Sequence, residues 1–197
     1  ASVLIGDFWL VRAVQAVMDV QKDHDRAVAL FAATLADLAE GEMFQLQKAS
    51  SCDTVMEDYL RIVYGKTASL FVTSCVTAAL SVTAGEQVEK AVAEYGRYLG
   101  YAFQMRDDIF DYEGSDSVGK PTGIDVLEQK ITLPLLCAMD AVDASRADSL
   151  RMMVREISPE KRDAIVAFVK ENGGIEAAQR TLESYSQKAV RALDVLE

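Results

Sequence analysis

Three carboxylates within five residues make segment 103–112 the part of the chain best suited to chemistry. Residues four apart share one face of an α-helix, so Gln104 would lie below Asp108 and Asp107 below Asp111. Carboxylates grouped beside apolar side chains favour a hard divalent cation. Mg²⁺ is usually held by one or two carboxylates together with substrate phosphates. The segment therefore predicts a metal site at Asp107, Asp108 and Asp111.

Basic residues follow these aspartates at positions where they could hold an anion. Lys120 and Lys130 come next along the chain, with Asp125 between them. A flexible ammonium group binds phosphate as a point charge. In isolation these lysines would be typical of a charged surface loop. Placed after the aspartates, they favour a basic clamp on a phosphate that the cation also contacts.

The elements that must position these residues are predicted to be helices throughout. Prolines stand at 121, 134 and 159, none occurs in the first 120 residues, and the few glycines fall at plausible helix ends. This punctuation is typical of an all-α protein with long helices. The predicted helices cover approximately 2–20, 25–47, 54–64, 66–83, 85–112, 131–139, 144–156, 159–172 and 174–196.

The first two helices are expected to contribute strongly to the core. The segment from Ser2 to Val20 is apolar on most sides, which is typical of a helix deep inside a bundle. In the second helix the core candidates are large apolar residues, namely Leu30, Phe31, Leu35, Leu38 and Leu46.

Composition excludes several function classes. The formal net charge of −11 argues against nucleic acid and anionic membranes as partners, because both require a basic surface. The single histidine, His24, excludes a histidine-based zinc site or a Ser-His-Asp triad. Three widely spaced cysteines predict reduced thiols. Without a signal peptide or an 18-residue fully apolar run, we expect a cytoplasmic protein with no integral membrane segment.

The order and spacing of these motifs resemble the trans-isoprenyl diphosphate synthases, also called polyprenyl synthetases. The resemblance covers essentially the whole chain, and segment 103–134 is its most specific part. The matching positions are Gly6-Asp7, Gly41-Glu42-x-x-Gln45, Lys66-Thr67, Phe103-Gln104, Asp107-Asp108-x-x-Asp111, Gly119-Lys120, Asp125 and Lys130.

The resemblance implies a fold, a reaction and a set of residue roles. The fold is an antiparallel helical bundle of the isoprenoid synthase type around a central cavity. The reaction is Mg²⁺-dependent condensation of an allylic diphosphate with isopentenyl diphosphate, through an allylic cation. The implied residues are Lys66, Lys120 and Lys130 for the allylic diphosphate; Lys66, Thr67 and Gln104 for catalysis; Asp107, Asp108 and Asp111 for metal, with Asp107 and Asp111 favoured as direct ligands; and Asp125 acting through a water.

One part of the family pattern has no counterpart in the chain. A first aspartate-rich motif, with arginines after it, should precede the residues that match at Gly6-Asp7. We therefore expect residues 1–197 to be a single truncated domain, the C-terminal portion of a synthase, inactive or nearly so alone. Such a chain would expose apolar surface and hold one Mg²⁺ weakly or none.

Three other interpretations stay open from the sequence. The chain could be a non-catalytic partner subunit of a prenyl synthase, although the retained aspartates and lysines argue against that. It could be a class I terpene cyclase, although it lacks an Asn/Ser/Glu metal triad at helical spacing. It could also be a plain helical scaffold. Within the favoured interpretation we expect a medium- or long-chain product and a homodimer.

Overall fold

The computed structural model describes residues 2–20, 22–113 and 122–196, and every regular element within these ranges is helical, as predicted. The helices are α1 (Ser2–Met18), α2 (His24–Ser51), α3 (Met56–Val63), a π-helical turn (Tyr64–Ala68), α4 (Ser69–Ser81), α5 (Glu86–Glu113), α6 (Ile124–Leu127), α7 (Leu133–Asp140), α8 (Ala144–Arg155), α9 (Pro159–Glu171), α10 (Gly174–Ala192) and a final 3₁₀ turn (Asp194–Leu196).

Local sequence signals explain where the later helices begin. The Ser158 hydroxyl accepts a hydrogen bond from the backbone N–H of Lys161 at 3.3 Å, and Pro159 follows in the first turn of α9. Both residues are favoured at a helix start. Gly173 separates α9 from α10 with a φ of 68°, a left-handed conformation that glycine adopts without strain. The predicted boundaries in this region are therefore confirmed.

α5 is the central helix, and it packs most extensively against α10 and α4. Its buried side chains join those of α3, α7, α8 and α9 in one apolar core. The largest fully buried members of that core are Met105, Ile109, Tyr112, Leu133, Leu135, Ile165 and Val169. The segment with the three aspartates is therefore the C-terminal half of the helix around which the core is built.

α1 does not occupy the predicted position. It packs against α2 and has no buried residue, and Phe8 and Trp9 are 58% and 66% exposed. The expectation that this helix lies deep in the bundle is wrong for the chain as it stands. Its main neighbour among the described helices is α2.

α2 buries small residues instead of the large ones expected. Its buried positions are Ala27, Thr34 and Gly41, which recur every seven residues, while Leu35 and Leu46 are exposed. A stripe of small side chains lets α2 approach α4 and the π-helical turn closely. The prediction is therefore wrong for Leu35 and Leu46, whereas Leu30, Phe31 and Leu38 are half-buried.

Glycines permit the close helix contacts around the π-helical turn. A Cβ atom on Gly65 would stand 2.9 Å from the Asp37 carbonyl oxygen and from the Gly41 Cα. A Cβ on Gly100 of α5 would stand 2.5 Å from the Ala68 Cα. Two helices thus press on the turn from opposite sides, and only glycine fits at these crossing points.

One helical stretch has the length and hydropathy that a membrane span requires. Residues Met56–Ser81 form 26 helical residues with a window of mean hydropathy 1.2, of which 33% is buried in the protein. Length and composition alone qualify it, and core helices of soluble proteins pass the same test. The expectation of no membrane segment therefore stays a prediction.

Candidate active site

A cavity of about 300 Å³ lies between α2, α3, the π-helical turn, α5 and the segment 125–132. It brings together six of the predicted residues: Lys66, Gln104, Asp107, Asp108, Asp125 and Lys130. Its wall is completed by Gln45, Lys48, Ala49, Thr54, Tyr59, Ile62, Val63, Ile131 and Thr132. The cavity therefore combines cations, carboxylates and apolar surface in one place.

The loop between α2 and α3 is fixed at the edge of this cavity by α8. The Arg151 guanidinium donates a hydrogen bond to the Thr54 carbonyl at 3.0 Å, and Arg155 donates to the Ser51 carbonyl at 2.7 Å. Two arginines on one rigid helix thus satisfy backbone oxygens that would otherwise face the protein unpaired. The entrance side of the cavity is held from outside the site.

The π-helical turn sets the positions of Lys66 and Thr67. One such turn within a helix often marks a functional site, because it redirects the side chains that it carries. The Lys66 ammonium lies 2.7 Å from a Glu42 carboxylate oxygen and also donates to the side-chain oxygen of Gln45. Lys66 is therefore held at the cavity by two α2 residues of the Gly41-Glu42-x-x-Gln45 motif.

A chain of four hydrogen-bonded side chains adjoins the cavity, and we call it the buried polar chain. Tyr59, Gln104 and Asp108 are the members that line the cavity. The Thr67 hydroxyl donates to Gln104 Oε1 at 2.8 Å, and Gln104 Nε2 donates to Asp108 Oδ1 at 2.9 Å. The Tyr59 hydroxyl donates to Asp108 Oδ2 at 2.7 Å. The predicted alignment of Gln104 with Asp108 is confirmed.

Asp108 is at the centre of the buried polar chain and is only 3% exposed. Burial raises the pKa of its carboxyl group to about 7, although the hydrogen bonds from Gln104 and Tyr59 oppose that shift. Burial and the Asp108 charge raise the pKa of the Tyr59 hydroxyl well above its ordinary value. Both Asp108 oxygens are occupied by protein donors, unlike those of a carboxylate waiting for a metal.

Asp107 and Asp111 are placed differently from Asp108. Asp107 is exposed, whereas Asp111 accepts hydrogen bonds from the backbone N–H groups of Ile124 and Asp125 at 3.1 and 3.2 Å. Asp111 thereby ties the end of α5 to the start of α6. Burial raises the pKa of the Asp111 carboxyl group, and the two backbone donors counteract that rise.

The three aspartates consequently do not form a single metal cluster. Within residues 2–20, 22–113 and 122–196, no three His, Cys, Asp or Glu side chains are grouped as metal ligands. The physical reason is helical geometry: neighbouring residues point about 100° apart, so Asp107 and Asp108 face different sides of α5. The metal role predicted for Asp107, Asp108 and Asp111 therefore stays a prediction.

Lys130 also lines the cavity. Its ammonium is 3.7 Å from Asp125 and also contacts Glu128. Burial lowers the pKa of Lys130, but the bond to Glu128 and the Asp125 charge raise it overall. Burial and the Asp111 charge raise the pKa of Asp125. Lys120 lies outside the described residues.

Sequence reasoning missed several polar residues of the cavity wall, among them Tyr59, Gln45 and Lys48. Tyr59 stands seven residues before Lys66, a spacing that places both on one helix face, and this signal was available. Gln45 belongs to a recognised motif but received no role. Lys48 forms ion pairs with Asp58 at 2.8 Å and Asp53 at 3.1 Å, and nothing in its sequence context distinguishes it from a surface lysine.

Comparison with known proteins agrees with this architecture. The family model described as polyprenyl synthetase matches residues 1–171. Octaprenyl diphosphate synthase of Haemophilus influenzae is 38% identical over 198 residues, covering 100% of this chain and 60% of that protein. The Escherichia coli octaprenyl diphosphate synthase is 33% identical and covers 100% of this chain and 61% of its own length. The chain thus spans about three fifths of the length of these relatives.

Solved structures show the same fold. A polyprenyl synthase from Caulobacter crescentus, complexed with calcium and isoprenyl diphosphate, superposes with a TM-score of 0.85 at 31% identity, covering 98% of this chain and 59% of that one. A geranylgeranyl pyrophosphate synthase from Bacteroides thetaiotaomicron gives 0.85 at 39% identity, covering 98% and 64%. With the family match over most of its length, the chain belongs to the polyprenyl synthetase family.

Proposed function

We propose that the protein is a trans-polyprenyl diphosphate synthase that condenses an allylic diphosphate with isopentenyl diphosphate. One observation carries this proposal: a single cavity combines Lys66 and Lys130, the exposed carboxylate of Asp107, and a wall containing Ile62 and Val63. A diphosphate needs cations, and a carbocation needs a site that excludes water. The cavity offers both within reach of one small substrate.

The two lysines would bind the diphosphate of the allylic substrate. Lys66 and Lys130 are each paired with exposed glutamates, Glu42 and Glu128, in the absence of an anion. Ion pairs with exposed partners contribute little free energy, so a diphosphate can replace the glutamates at small cost. We extend the same role to Lys120 from the family pattern alone.

Asp107 and Asp111 are the residues proposed to hold Mg²⁺. Their side chains stand four residues apart on one face of α5, and Asp111 has further lone pairs beyond its two backbone bonds. Two carboxylates with diphosphate oxygens are an ordinary ligand set for this ion. When bound, Mg²⁺ would neutralise the charge that develops on the departing diphosphate. Asp125 would act on this set through a water.

Thr67 and Gln104 would stand beside the reacting carbons. The Gln104 amide oxygen is the negative end of a fixed dipole, and such a dipole stabilises a positive charge that forms during reaction. The apolar residues Ile62, Val63 and Ile131 on the same cavity wall would keep water from trapping the allylic cation. No His is present at the cavity, so the diphosphate itself is the base that this proposal assigns to proton removal.

The relatives support a medium- or long-chain product. Their names include octaprenyl diphosphate synthase, and All-trans-nonaprenyl-diphosphate synthase (geranyl-diphosphate specific) in Rhodobacter capsulatus. The test is incubation of the complete gene product with labelled isopentenyl diphosphate, farnesyl diphosphate and Mg²⁺, followed by chain-length analysis. We expect polyprenyl products longer than geranylgeranyl. Absence of any elongated product overturns the proposed function.

The 197-residue chain, assayed in parallel, is expected to give almost no product. The family pattern places a first aspartate-rich motif ahead of Gly6-Asp7, and the second motif alone supplies half of the metal-binding face. Appreciable turnover by this chain overturns the requirement for the first motif, while leaving the reaction itself intact.

A homodimer is proposed as the working assembly, supported by the exposed apolar side chains of α1 such as Phe8 and Trp9. One observation favours a second candidate. A relative from Bacillus subtilis, 30% identical over 97% of this chain and 54% of its own length, is named heptaprenyl diphosphate synthase component 2. Light scattering measures the oligomeric state of the complete gene product, and an assay of the same sample measures its activity without another protein. Together they distinguish a homodimer from a protein that requires a different partner.

A further inference from the structure

We propose that Tyr59 is a positioning residue that acts through Asp108 to fix the Gln104 side-chain amide with its oxygen toward Thr67. The inference rests on the proposed function for its catalytic consequence, but its geometric part stands on the hydrogen bonds alone. Neither Tyr59 nor its contact with Asp108 was anticipated from the sequence motifs.

The hydrogen bond between Tyr59 and Asp108 joins two helical segments in the protein interior. Tyr59 on α3 is 3% exposed and Asp108 on α5 is also 3% exposed, and 2.7 Å separates the hydroxyl from Asp108 Oδ2. Among the described residues, no lysine or arginine forms an ion pair with Asp108. A buried carboxylate without a cation depends on hydrogen-bond donors for its stability. The Tyr59 hydroxyl is the donor for one of its two oxygens.

The second Asp108 oxygen determines which way the Gln104 amide points. An ionised carboxylate accepts hydrogen bonds and cannot donate them, so in the charged form of Asp108 the group facing Oδ1 must be a donor. Gln104 Nε2 occupies that position at 2.9 Å. Rotating the amide by half a turn would place its oxygen against the carboxylate, where two acceptors repel each other.

The opposite end of the amide is then fixed as well. Gln104 Oε1 faces Thr67 and accepts the hydroxyl hydrogen bond at 2.8 Å. The two hydroxyl donors, Tyr59 and Thr67, therefore lie at the ends of the buried polar chain, and the oxygens that accept from them lie between. If Tyr59 lost its hydroxyl, Asp108 would keep one donor and could turn away from Gln104, which would release the amide.

For the reaction, it matters which end of the Gln104 amide dipole, negative or positive, faces the developing cation. With Nε2 held by Asp108, the amide presents its negative end on the Thr67 side, where the proposed function places the developing cation. A released amide would present its NH₂ group, the positive end, for part of the time. The effect falls on the transition state and not on diphosphate binding, because the hydrogen bonds and ion pairs of Lys66 and Lys130 with the described residues do not involve Tyr59.

The test is Tyr59→Phe in the complete gene product, measured in two ways. We expect kcat for condensation to fall roughly 10- to 100-fold, the range seen when the partner of an active-site ligand is removed, with KM for the allylic diphosphate changed less than about twofold. By ¹⁵N side-chain NMR, we expect the Gln104 NH₂ protons to be protected from exchange in the wild type and unprotected in the variant.

Tyr112→Phe is the matched control, because Tyr112 is also fully buried and its hydroxyl forms no hydrogen bond with the residues that the structure describes. We expect that control to retain wild-type kcat and the protected Gln104 signal. Asp108→Asn is the second variant in case Tyr59→Phe folds poorly. It should lower kcat similarly, and the double variant should be no worse than the more impaired single one, since both act through Gln104.

The outcomes separate the two claims. Unchanged kcat, an unchanged Gln104 signal, or independent additive losses in the double variant each overturn the positioning role. If the wild-type protein elongates no substrate, the proposed function fails, and the NMR comparison alone decides whether Tyr59 orients Gln104.

Discussion

The two sides of the cavity are built on different principles. The buried polar chain of Tyr59, Asp108, Gln104 and Thr67 is closed, and each Asp108 oxygen has a protein partner. The charged rim, which we define as Lys66, Lys130, Asp107 and Asp111, is open to solvent. Its lysines have side chains 30% and 27% exposed and are paired with glutamates that are still more exposed.

This contrast separates groups that must keep their geometry from groups that must exchange partners. Hydrogen bonds inside a dry wall hold side chains in one arrangement before substrate arrives. Ion pairs at a wet surface are weak, and an incoming anion can displace them. The same helix, α5, supplies both kinds of site, because adjacent residues such as Asp107 and Asp108 face different environments.

The largest effect is expected on the rim, from Asp107→Asn in the complete gene product. Loss of a metal-binding carboxylate should lower turnover by about 10²- to 10³-fold, by analogy with removal of one group that stabilises transition-state charge. Raising the Mg²⁺ concentration should restore part of the rate. Asp148→Asn, at an exposed position of α8, is the control and should behave as wild type. Full activity in Asp107→Asn would contradict the proposed metal site on the charged rim.

Gly65→Ala tests whether the wall depends on the tight crossing beneath it. The new Cβ would lie 2.9 Å from the Asp37 carbonyl oxygen, so backbone must shift, at a cost of about 1–3 kcal/mol in unfolding free energy. Chemical denaturation measures this cost. Gly6→Ala on α1 is the control, since a Cβ there meets nothing within 4 Å. Equal stability of both variants would contradict the close packing.

Lys130→Gln should weaken binding without affecting the wall. We expect KM for the allylic diphosphate to rise roughly tenfold, because one charge-assisted contact is lost, while kcat changes little. Steady-state kinetics at saturating Mg²⁺ give both constants. Lys90→Gln serves as the control, since its ion pair with Glu86 is exposed and on the far part of α5. A drop in kcat at constant KM would instead indicate that Lys130 acts in the chemical step.

A last expected effect concerns the pH dependence of stability. The Asp108 pKa is about 7 when folded and 3.8 in the reference state, so the folded protein binds more protons between these values. Stability is therefore fully present below about pH 4 and falls as pH rises toward 7, by up to about 1.4 kcal/mol per pH unit. Denaturation of wild type and Asp108→Asn between pH 4 and 8 should show this slope only in the wild type. Parallel profiles would contradict the burial of an ionisable Asp108.

Much of the fold followed from the sequence because helix signals are local. Proline and glycine positions located α5 and α7 to α10 but not the short α6, and the four-residue spacing predicted the contact between Gln104 and Asp108. The burial of α1 and α2 was predicted wrongly, because apolar content shows that a helix can be buried but not which neighbour covers it. Leu35 and Leu46 on α2 illustrate this.

In the site, too, local sequence signals were predictive and contacts between distant helices were not. Residue types and order led to Lys66, Gln104, Asp107, Asp125 and Lys130, and the structure places all of them at one cavity. Tyr59 was missed because its partner is on another helix, 49 residues away in sequence. Asp108 was grouped with its neighbours for the same reason: only tertiary packing distinguishes an inward from an outward carboxylate.

The π-helical turn at Tyr64–Ala68 makes the length of the segment between Tyr59 and Thr67 critical. A π-turn contains one residue more than an α-helical path over the same rise. Deleting a single residue from it would restore a regular α-helix and rotate everything before it by about 100° relative to everything after. Tyr59 could then no longer meet Asp108 while Thr67 meets Gln104. A change in the length of this segment therefore disrupts both contacts at once.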